Sequence, residues 1–381
     1  MPMSTARHEP LRIAMIAFPD NHHTRRWSRA LIAEGMDVHV VGVAADESQA
    51  TMPPKHLKNP HELSIPVLTA ATRWYDAIAE IKPDVVYMQW LFARPAMLLA
   101  LDPAWPLVTT VMGSDVRQDP TLPESVLERT CRTALLLRSR TITAVAQPLA
   151  DVVAGYHHDL RDHIEIVPFG VDTVTFRPRT VPRKRKAGDT LSVGHFKSDD
   201  AVYGRLDLLR ALTILLSAGQ KLAIHLAGRR DNDGGEVTAY LAAHPDLAAC
   251  VVDHGLLNVD AIAGVYRQID VYVMNSVQES FGVAAAEAMA SCVPVVASDV
   301  GGVRALVRSG DTGLLVKPGD PQALAAALAE FAQYPDLATS CGLRGRARVQ
   351  SRFEWQGSVA RMAELLRAAA AGHNKVAHLA A

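Results

Sequence analysis

The sequence predicts an α/β protein built from two consecutive doubly wound domains. Short apolar segments alternate with helical segments in a repeated strand–helix–strand order. This order is interrupted once, by a basic, proline-containing stretch at 177–186, and then begins again. A length of 381 residues also exceeds one ordinary domain. We therefore expect a first Rossmann-like domain over 1–180, a second over 181–353, and a C-terminal helix over 354–381 that ends in a frayed tail.

The first domain begins with a strand–helix–strand unit. Leu11 to Phe18 is a short apolar run typical of a buried parallel strand. Apolar residues at helical spacing follow from Thr24 to Gly35, where the glycine predicts the end of the helix. A second strand is expected over 37–43. Further strands of this domain are predicted at 84–88, 107–111, 141–145 and 164–167.

The second domain repeats the pattern after the basic stretch. Its predicted strands lie at 191–193, 222–226, 251–252, 271–273, 293–297 and 313–316. The stretch from Arg177 to Lys186 contains six basic residues and two prolines, which predicts a solvated linker, with contact to anionic lipid as the alternative. A last helix is predicted over 355–370. Two successive α/β domains are typical of enzymes that bind a ligand in a cleft between them.

Composition argues against several classes of protein. The 39 basic and 40 acidic side chains balance, so no net charge favours nucleic acid. The four cysteines form no CxxC pair, which argues against a zinc site or a disulfide framework and suits a reducing compartment. We find neither a sufficiently long apolar run for a membrane span nor a signal peptide at the N-terminus. The sequence therefore predicts a cytoplasmic protein.

The loop after the first strand lacks the motifs of three common enzyme classes. It contains no glycine between Phe18 and Thr24, so the GxGxxG of nicotinamide dehydrogenases is missing. The chain also lacks the phosphate-binding GxxxxGK[ST] loop and the GxSxG of α/β-hydrolases. The sequence therefore lacks the motifs that would indicate hydride transfer, P-loop phosphoryl transfer or serine hydrolysis.

The segment over 270–290 carries the strongest chemical signal. It predicts a strand, a loop ending at Gly282 and an alanine-rich helix, whose first N–H groups, near Phe281 and Gly282, would bind a phosphate or diphosphate. Glu279 precedes this helix, where its carboxylate could accept hydrogen bonds from sugar hydroxyls. Glu287 lies about one and a half turns inside the helix among alanines. A buried carboxylate needs a partner there, which a ribose diol would supply.

At this segment the sequence resembles a known family. ESFGVAAAEAMA, followed by 293–302 and 312–316, is similar to the large retaining glycosyltransferase family four, the glycosyl transferases group 1. First-domain segments at 113–115 and 168–178 are also similar to that family. The resemblance implies the GT-B fold, with two Rossmann-like domains facing a deep cleft. It also implies retaining transfer of a sugar from a nucleotide diphosphate sugar to an acceptor hydroxyl, in bacterial glycan, glycolipid or secondary-metabolite assembly.

The resemblance also implies roles for individual residues. Glu279 would hold the hydroxyls of the donor sugar, and Glu287 would hold the ribose. Gly194 would open a loop that faces the diphosphate. The remaining donor-binding candidates lie in the ESFG segment and in a turn near the nucleotide: Ser280, Phe281, Gly282 and Arg230.

The sequence departs from the family pattern at three positions. The usual diphosphate lysine is missing, and Lys197 and Arg205 are the nearby cations, with plain surface charge as the alternative for each. Met112 replaces a common histidine, so Asp115 becomes a candidate to orient the acceptor or act as a base. Its alternative role is to cap a turn or a helix after the strand. His23 stands near the position of a common glycine pair and is a further catalytic candidate, or else only a solvated loop residue.

No metal or other cofactor is expected. The sequence Asp231-Asn-Asp233 is interpreted as a polar turn because two glycines follow it. The expected partners are a nucleotide-sugar donor and a small-molecule or lipid-linked glycan acceptor, with no nucleic acid. Basic stretches at 129–140 and 177–186 would suit peripheral contact with the inner face of a membrane.

Two other functions remain open at this point. The missing lysine and histidine would also fit a catalytically degenerate GT-B partner protein that binds nucleotide sugar or glycan. Retention of both Glu279 and Glu287 argues against that alternative. A nucleotide-sugar 2-epimerase would share the fold, but the ESFG segment does not support it. The sequence leaves the donor base, the acceptor and the oligomeric state open.

Overall fold

A computed structural model of the chain describes residues 9–43, 63–65, 71–92, 96–116, 126–181, 184–229 and 235–377. The chain divides into two compact units, Met1–Val167 with Val359–Ala381, and Pro168–Ser358. The sequence analysis predicted domain boundaries after residues 180 and 353, whereas the two units of the structure change over after residues 167 and 358. The chain joins the second unit already at Pro168 because Phe169 and Val171 are buried there, and Val171 pairs with Glu354 in an isolated parallel bridge.

The first unit contains a parallel sheet of seven strands in the order β3-β2-β1-β4-β5-β6-β7. The strands are β1 Arg12–Ala17, β2 Asp37–Val43, β3 Leu63–Ile65, β4 Val85–Met88, β5 Leu107–Val111, β6 Thr141–Ala144 and β7 Ile164–Ile166. Its helices include α1 His22–Ala33, α2 Ala71–Ile81, α3 Met97–Leu101, α4 Val126–Arg138 and α5 Gln147–Ala154. Strands β4 and β5 are buried at every position, which explains their mainly apolar and β-branched sequence.

Two details of this unit differ from the prediction. Helix α1 begins at His22 rather than Thr24, because the Asn21 side chain accepts a hydrogen bond from the His23 N–H at 2.8 Å and caps the helix. Strand β3 was not predicted, since three residues at the sheet edge are too few to establish a period.

The second unit contains a parallel sheet of six strands in the order β10-β9-β8-β11-β12-β13. The strands are β8 Leu191–Phe196, β9 Leu222–Ala227, β10 Val251–Asp253, β11 Val271–Met274, β12 Val295–Ser298 and β13 Gly313–Val316. Its helices are α6 Arg205–Ser217, α7 Glu236–Ala243, α8 Pro245–Ala248, α9 Val259–Tyr266, α10 Val283–Ala290, α11 Val303–Leu306, α12 Pro321–Gln333 and α13 Pro335–Arg352 within the described residues. The predicted α/β fold with two parallel sheets is confirmed.

The prediction of a solvated linker over 177–186 is wrong for Arg179 and Arg185, whereas Arg177, Lys184 and Lys186 are exposed as expected. Arg179 donates to the Ile269 carbonyl, and Arg185 donates to the Ala332 carbonyl at 3.1 Å. The Arg185 side chain is only 6% exposed and lies beside Asp270. Free carbonyls at the ends of neighbouring elements hold these guanidinium groups, so this part of the stretch packs on the second unit.

The last helix, α14 Trp355–Ala377, contributes to the first unit from residue 359 onward. Arg361 pairs with Glu165 at 3.0 Å, and Arg367 donates to the Glu34 carbonyl at 2.9 Å. The prediction of a frayed tail over 371–381 is wrong for 371–377, because α14 continues to Ala377, and residues 378–381 lie outside the described residues. Across the described residues, no helix combines the length and the apolar character that crossing a membrane requires.

Candidate functional site

The strand order of the second unit places a ligand site between β8 and β11. Strand order reverses there, since β9 continues from β8 on one side and β11 begins the other half of the sheet. In open parallel sheets, ligands bind at such a reversal, at the carboxyl ends of the strands. Lys197 directly follows β8 and Glu279 follows β11. Their side chains meet, with Lys197 Nζ 2.9 Å from Glu279 Oε2, at 19% and 14% exposure.

Close backbone packing holds Lys197 at this position. Gly204, at φ +70°, lies so near Asn275 that an added Cβ would be 2.5 Å from the Asn275 carbonyl oxygen. Gly228, at φ +123°, would place a Cβ 2.4 Å from the Lys197 carbonyl oxygen. The Lys197 ammonium also lies 4.8 Å from the centre of the Tyr203 ring. The loop after β8 therefore depends on two glycines for its path.

Arg205 and Lys197, the two candidate cations, occupy different environments. The Arg205 guanidinium is 2% exposed and donates to the carbonyls of Lys197 and, at 2.9 Å, Ala227. Arg205 therefore fastens the loop that carries Lys197. The Lys197 ammonium is the cation that reaches the Glu279 carboxylate.

Gly194 does not open this loop as the sequence predicted, because β8 continues to Phe196. An added Cβ at Gly194 would lie 2.5 Å from Ile269 Cδ1 and 2.9 Å from Phe196 Cζ. The glycine is therefore required for packing inside the strand. Arg230, with the Asp231–Asp233 turn, lies outside the described residues.

The ESFG segment leads into helix α10 as expected. Gly282 is the N-cap residue with φ +96°, a conformation that glycine adopts without strain. Phe281 is 1% exposed and packs against Phe169 and Phe353, with ring centres 6.2 Å and 5.5 Å away. This aromatic contact fixes the start of α10, where the first N–H groups lack acceptors within the helix. The segment can thus present a positive helix end to an anion.

A second glycine contact determines where Ser280 lies. The Ser280 N–H donates to Oε1 of Glu279 at 3.2 Å. A Cβ at Gly302 would stand 1.9 Å from the Ser280 carbonyl oxygen. Glycine at 302 therefore allows the ESFG segment to pack directly on the loop after β12.

Glu287 has a protein partner that the sequence did not reveal. The Tyr266 hydroxyl lies 3.2 Å from Glu287 Oε2 and donates to the Ala284 carbonyl at 2.7 Å. Burial, and then the negative charge of Glu287, raise the pKa of Tyr266 well above its usual value. Tyr266 ends α9, and no local pattern in the sequence connects it with α10. The buried Tyr266 hydroxyl thus orients the carboxylate of Glu287.

Several buried polar groups at this sheet edge have no hydrogen-bond partner in the described part of the chain. They are His195 Nε2, Asn275 Oδ1, Ser276 Oγ and Ser298 Oγ. Each residue ends its strand or lies within two residues of the strand end. Burial, followed by the charge of Arg205, lowers the pKa of His195 to about 3, so the ring is neutral and its Nδ1–H donates to Val273 O at 3.2 Å. This edge can therefore accommodate polar ligand groups or water.

In the first unit, Asp115 has the environment of a turn-building residue. Its carboxylate is 5% exposed and accepts N–H groups of Leu91 at 3.0 Å, Met112 at 3.0 Å and Gly113 at 2.7 Å. Burial raises its pKa despite these bonds. The structure thus favours the turn role that the sequence left open. His23 lies in the first turn of α1, with its ring centre 3.8 Å from that of His22.

One group of potential metal ligands lies elsewhere in the first unit. His157, His158 and Asp159 bring three ligand atoms within 4.8 Å of one another. The group is part-exposed, and His157 Nδ1 already accepts the Asp159 N–H at 3.3 Å. The expectation of a metal-free enzyme stays a prediction.

Family models match both units of the chain. A model described as glycosyl transferases group 1 matches residues 188–333, and one described as glycosyl transferase 4-like matches residues 12–146. Both models describe glycosyl transferases, and the group 1 model matches the second unit of the chain. The resemblance seen in the sequence is confirmed.

Curated relatives of the chain include two kinds of protein. The D-inositol 3-phosphate glycosyltransferase of Streptomyces scabiei is 33% identical over 254 residues, which cover 62% of this chain and 55% of that protein. The glycogen synthase of Mycobacterium tuberculosis is 26% identical over 303 residues, covering 77% of this chain and 71% of that protein. In the first comparison, the chain thus spans about half the length of its relative.

Solved structures show the same fold at low sequence identity. Sucrose-phosphate synthase from Thermosynechococcus elongatus has a TM-score of 0.77 at 20% identity, covering 95% of this chain and 100% of that one. Anabaena HepE in complex with UDP has a TM-score of 0.76 at 17% identity, covering 94% and 100%. The chain therefore has the GT-B fold.

Proposed function

We propose that this chain is a retaining glycosyltransferase that moves a sugar from a nucleotide diphosphate sugar to an acceptor hydroxyl. The observation that carries the proposal is the Lys197–Glu279 pair at the strand-order reversal of the second unit. A cation and a carboxylate next to a helix start provide what a donor with a diphosphate and a sugar needs. Glycan, glycolipid or secondary-metabolite assembly in a bacterium is the proposed setting.

The donor would redistribute the contacts of this pair. A diphosphate brings negative charge to the first turn of α10, and the Lys197 ammonium can turn toward it while its loop stays fastened by Arg205. Glu279 would then be free to accept hydrogen bonds from the sugar hydroxyls. Glu287, oriented by Tyr266, would accept the ribose hydroxyls. Each step exchanges one polar contact for another, so no charge is left unpaired.

The proposed reaction is a same-face displacement at the anomeric carbon. The bond from this carbon to the diphosphate oxygen breaks, and the bond to the acceptor oxygen forms on the same face. The acceptor proton passes to the leaving phosphate oxygen. The protein contributes positioning and stabilisation of the leaving charge, through Lys197 and the amides of α10.

A donor screen tests this proposal. We would measure thermal shifts of the full chain with UDP, GDP, ADP, TDP and their sugar conjugates; UDP is included because HepE was solved in complex with it. A ligand at a hundred times its Kd adds about 2.7 kcal/mol of stability. We expect one nucleotide to stabilise the wild type and Glu330→Ala, an exposed control, but not Glu287→Ala.

The opposite result would favour another function. If no nucleotide stabilises the wild type, the proposed donor site is wrong. If one nucleotide binds but transfer to acceptors and hydrolysis are both missing, the catalytically degenerate GT-B partner becomes the better assignment. The departure from the usual lysine position is the observation that would then explain the loss.

Peripheral membrane contact from the cytoplasm is part of the same proposal. Arg177, Lys184 and Lys186 are exposed in the basic stretch, whereas Arg179 and Arg185 are held by carbonyls. Exposed cations can bind anionic lipid headgroups. Flotation with vesicles containing phosphatidylglycerol should recover the chain, and neutral phosphatidylcholine vesicles should not. Equal recovery, or none, would contradict the contact.

A further inference from the structure

The second unit contains a cavity of about 230 Å³ at the amino ends of its central strands. Its walls include Asp270, directly before β11, and Pro294, directly before β12. All strands of a parallel sheet start at the same edge and end at the other. The Lys197–Glu279 pair follows the carboxyl ends of β8 and β11, so the cavity lies at the opposite edge of the sheet.

Helix α13 forms another wall of the cavity with one of its faces. Pro335, Ala338 and Thr339 line the cavity, and a spacing of three and four residues places them on one side of the helix. Gly342, on the same helix, allows a close approach to the turn before β12. A Cβ added there would lie 2.2 Å from the Cys292 carbonyl oxygen. Backbone packing therefore holds these two walls together.

The basic stretch supplies the charge of the cavity. Arg179 and Arg185 line it together with Asp270. Arg179 donates to the Ile269 carbonyl, Arg185 donates to the Ala332 carbonyl at 3.1 Å, and Arg185 Nε lies 4.0 Å from the Asp270 carboxylate. Carbonyl groups carry no net charge, so two guanidinium groups and one carboxylate leave one positive charge among the lining residues. An anion in the cavity would be attracted by that charge, and a cation would be repelled.

Ser291 places a buried hydroxyl at the same cavity. The residue lines the cavity and is 4% exposed, and its Oγ makes no hydrogen bond within the described part of the chain. Buried polar groups nearly always have a partner, and a serine hydroxyl can donate one hydrogen bond and accept two. Most of the other lining residues are apolar, among them Pro178, Val293 and Leu343. The cavity thus combines apolar walls, one positive charge and one unpartnered hydroxyl.

We propose that this cavity is a second ligand site of the chain, and that it binds a small carboxylic acid with one apolar six-membered ring. A cavity of about 150 Å³ with apolar walls binds benzene, so the larger volume here accommodates a ring together with a carboxylate. The ring contacts the prolines and aliphatic side chains. The carboxylate lies on the side of the two guanidinium groups and accepts a hydrogen bond from Ser291. The site is independent of the proposed sugar transfer and adds a ligand to it.

Other small ligands fit the cavity less well. Inorganic phosphate would use the positive charge but would leave the apolar walls in contact with water. A neutral ring would fill the volume without using the charge. A ring with an ammonium group would meet the guanidinium groups with the same sign of charge.

Saturation-transfer NMR on the full chain measures binding with probes that differ mainly in charge. The probes are benzoate and cyclohexanecarboxylate as ring acids, benzamide as a neutral ring and benzylamine as a cation. We expect one or both acids to bind with a Kd of about 1 mM or lower, a range that ligands of this size reach. Benzamide should bind more weakly, and benzylamine should bind most weakly. A preference between the two acids would identify an aromatic or a saturated ring.

Cys292 reports where the acids bind. It lines the cavity and is half-buried, and burial raises the pKa of its thiol, so it is alkylated with iodoacetamide at mildly alkaline pH. Peptide mass spectrometry follows this reaction. An acid at ten times its Kd should slow alkylation of Cys292 about tenfold, since about one tenth of the sites stay free. Cys250 is also partly exposed but is not among the lining residues, so its rate should not change.

Variants separate binding in the cavity from binding elsewhere. Thr339→Trp places a large side chain at an exposed lining position and should abolish binding of the acids. Thr238→Trp, at an exposed helix position of the same unit, is the matched control and should bind as the wild type does. Ser291→Ala should weaken binding about fivefold through the loss of one hydrogen bond. It should not lower the Tm of the free protein, because the hydroxyl that it removes has no partner among the described residues.

Four results would overturn the proposal: no binding of either acid to the wild type, unchanged binding in Thr339→Trp, benzylamine binding as tight as that of benzoate, or competition between benzoate and UDP. Competition would place the acid at the Lys197–Glu279 edge instead. Failure of the proposed function is distinguishable, because nucleotides would then give no thermal shift while binding of the acids would still depend on position 339.

Discussion

Both units have loops at the strand-order reversal of their sheet, but the polar side chains there differ in whether they have partners. In the second unit, Lys197 and Glu279 already satisfy each other, so a ligand has to exchange partners with an existing pair. In the first unit, the Gln89 amide is buried and has no hydrogen-bond partner among the described residues. Both sheets thus share a reversal of strand order, whereas the side chains that follow the strands differ.

The difference also concerns water and charge. A mostly buried ion pair has already lost much of its hydration in the free protein, which costs desolvation energy. An anionic donor can therefore interact with Lys197 without the protein burying a further charge. The Gln89 amide of the first unit carries no charge. We therefore expect the second unit to control turnover through electrostatics.

The largest expected effect tests the charged edge. Lys197→Met should lower the rate of sugar transfer by about 10²–10³-fold, because a cation near a leaving diphosphate supplies several kcal/mol of stabilisation. Lys197→Arg should retain part of the rate. Lys221→Met removes an exposed lysine of the same unit and serves as the control. Steady-state kinetics within threefold of the wild type for Lys197→Met would show that the edge does not act through this charge.

A second test concerns Asp115, which accepts the Leu91 N–H after β4 of the first sheet. Asp115→Asn replaces one acceptor oxygen with a donor that faces N–H groups, and should cost about 3 kcal/mol of unfolding free energy. Urea unfolding measures the loss. Turnover well below the melting temperature should change little. If turnover collapsed while stability held, Asp115 would be a catalytic base and the two edges would both carry charged chemistry.

A third test uses the neutral His195 beneath the charged edge. Its pKa is about 3 in the folded protein, below the ordinary 6.5, so the unfolded chain binds a proton first as the pH falls. Stability is therefore full above pH 6.5 and decreases toward pH 3, by at most about 1.4 kcal/mol per pH unit. The slope should be smaller in His195→Gln. Identical slopes in urea unfolding between pH 7 and pH 5 would place the proton uptake elsewhere.

The smallest expected effect concerns the opposite end of the second sheet. Cys292 precedes β12 with φ +59°, a conformation that favours glycine. Cys292→Gly should relieve about 1 kcal/mol of backbone strain and lose a similar amount in chain entropy and packing. We expect a change of Tm below about 3 °C. Donor binding should not change, and a change would mean that the binding edge depends on the far end of its sheet.

Much of the fold could be predicted because parallel strands buried on both faces leave short, mainly apolar and β-branched runs. Strands β2, β5 and β13 have the same limits in sequence and structure. The place of Glu279 and Glu287 around the start of a helix could also be predicted, since local spacing determines it. Loop paths could not. Whether Lys197 or Arg205 would reach the site depended on Gly204 and Gly228, which contact segments distant in sequence.

The residues that the sequence did not predict share one physical cause. Tyr266 orients Glu287 across 21 positions, and His195 is buried within an apparent core strand. Gln89 follows another apolar run and resembles an ordinary strand end. Each of these residues is distinguished by a contact with a residue distant in sequence, or by the lack of a hydrogen-bond partner. A residue-by-residue pattern carries no signal for such pairs.

The first unit is discontinuous in the chain, whereas the second is continuous. Residues 359–377 of α14 belong to the first unit, and Met362, Ala363 and Leu366 are at most 1% exposed there. During synthesis, the unit that emerges first from the ribosome is therefore the last to be completed. The apolar surface that these three side chains cover stays exposed to water until residues 359–366 have been synthesised. A chain stalled after residue 358 would hold a finished second unit and a first unit that chaperones still recognise as unfinished.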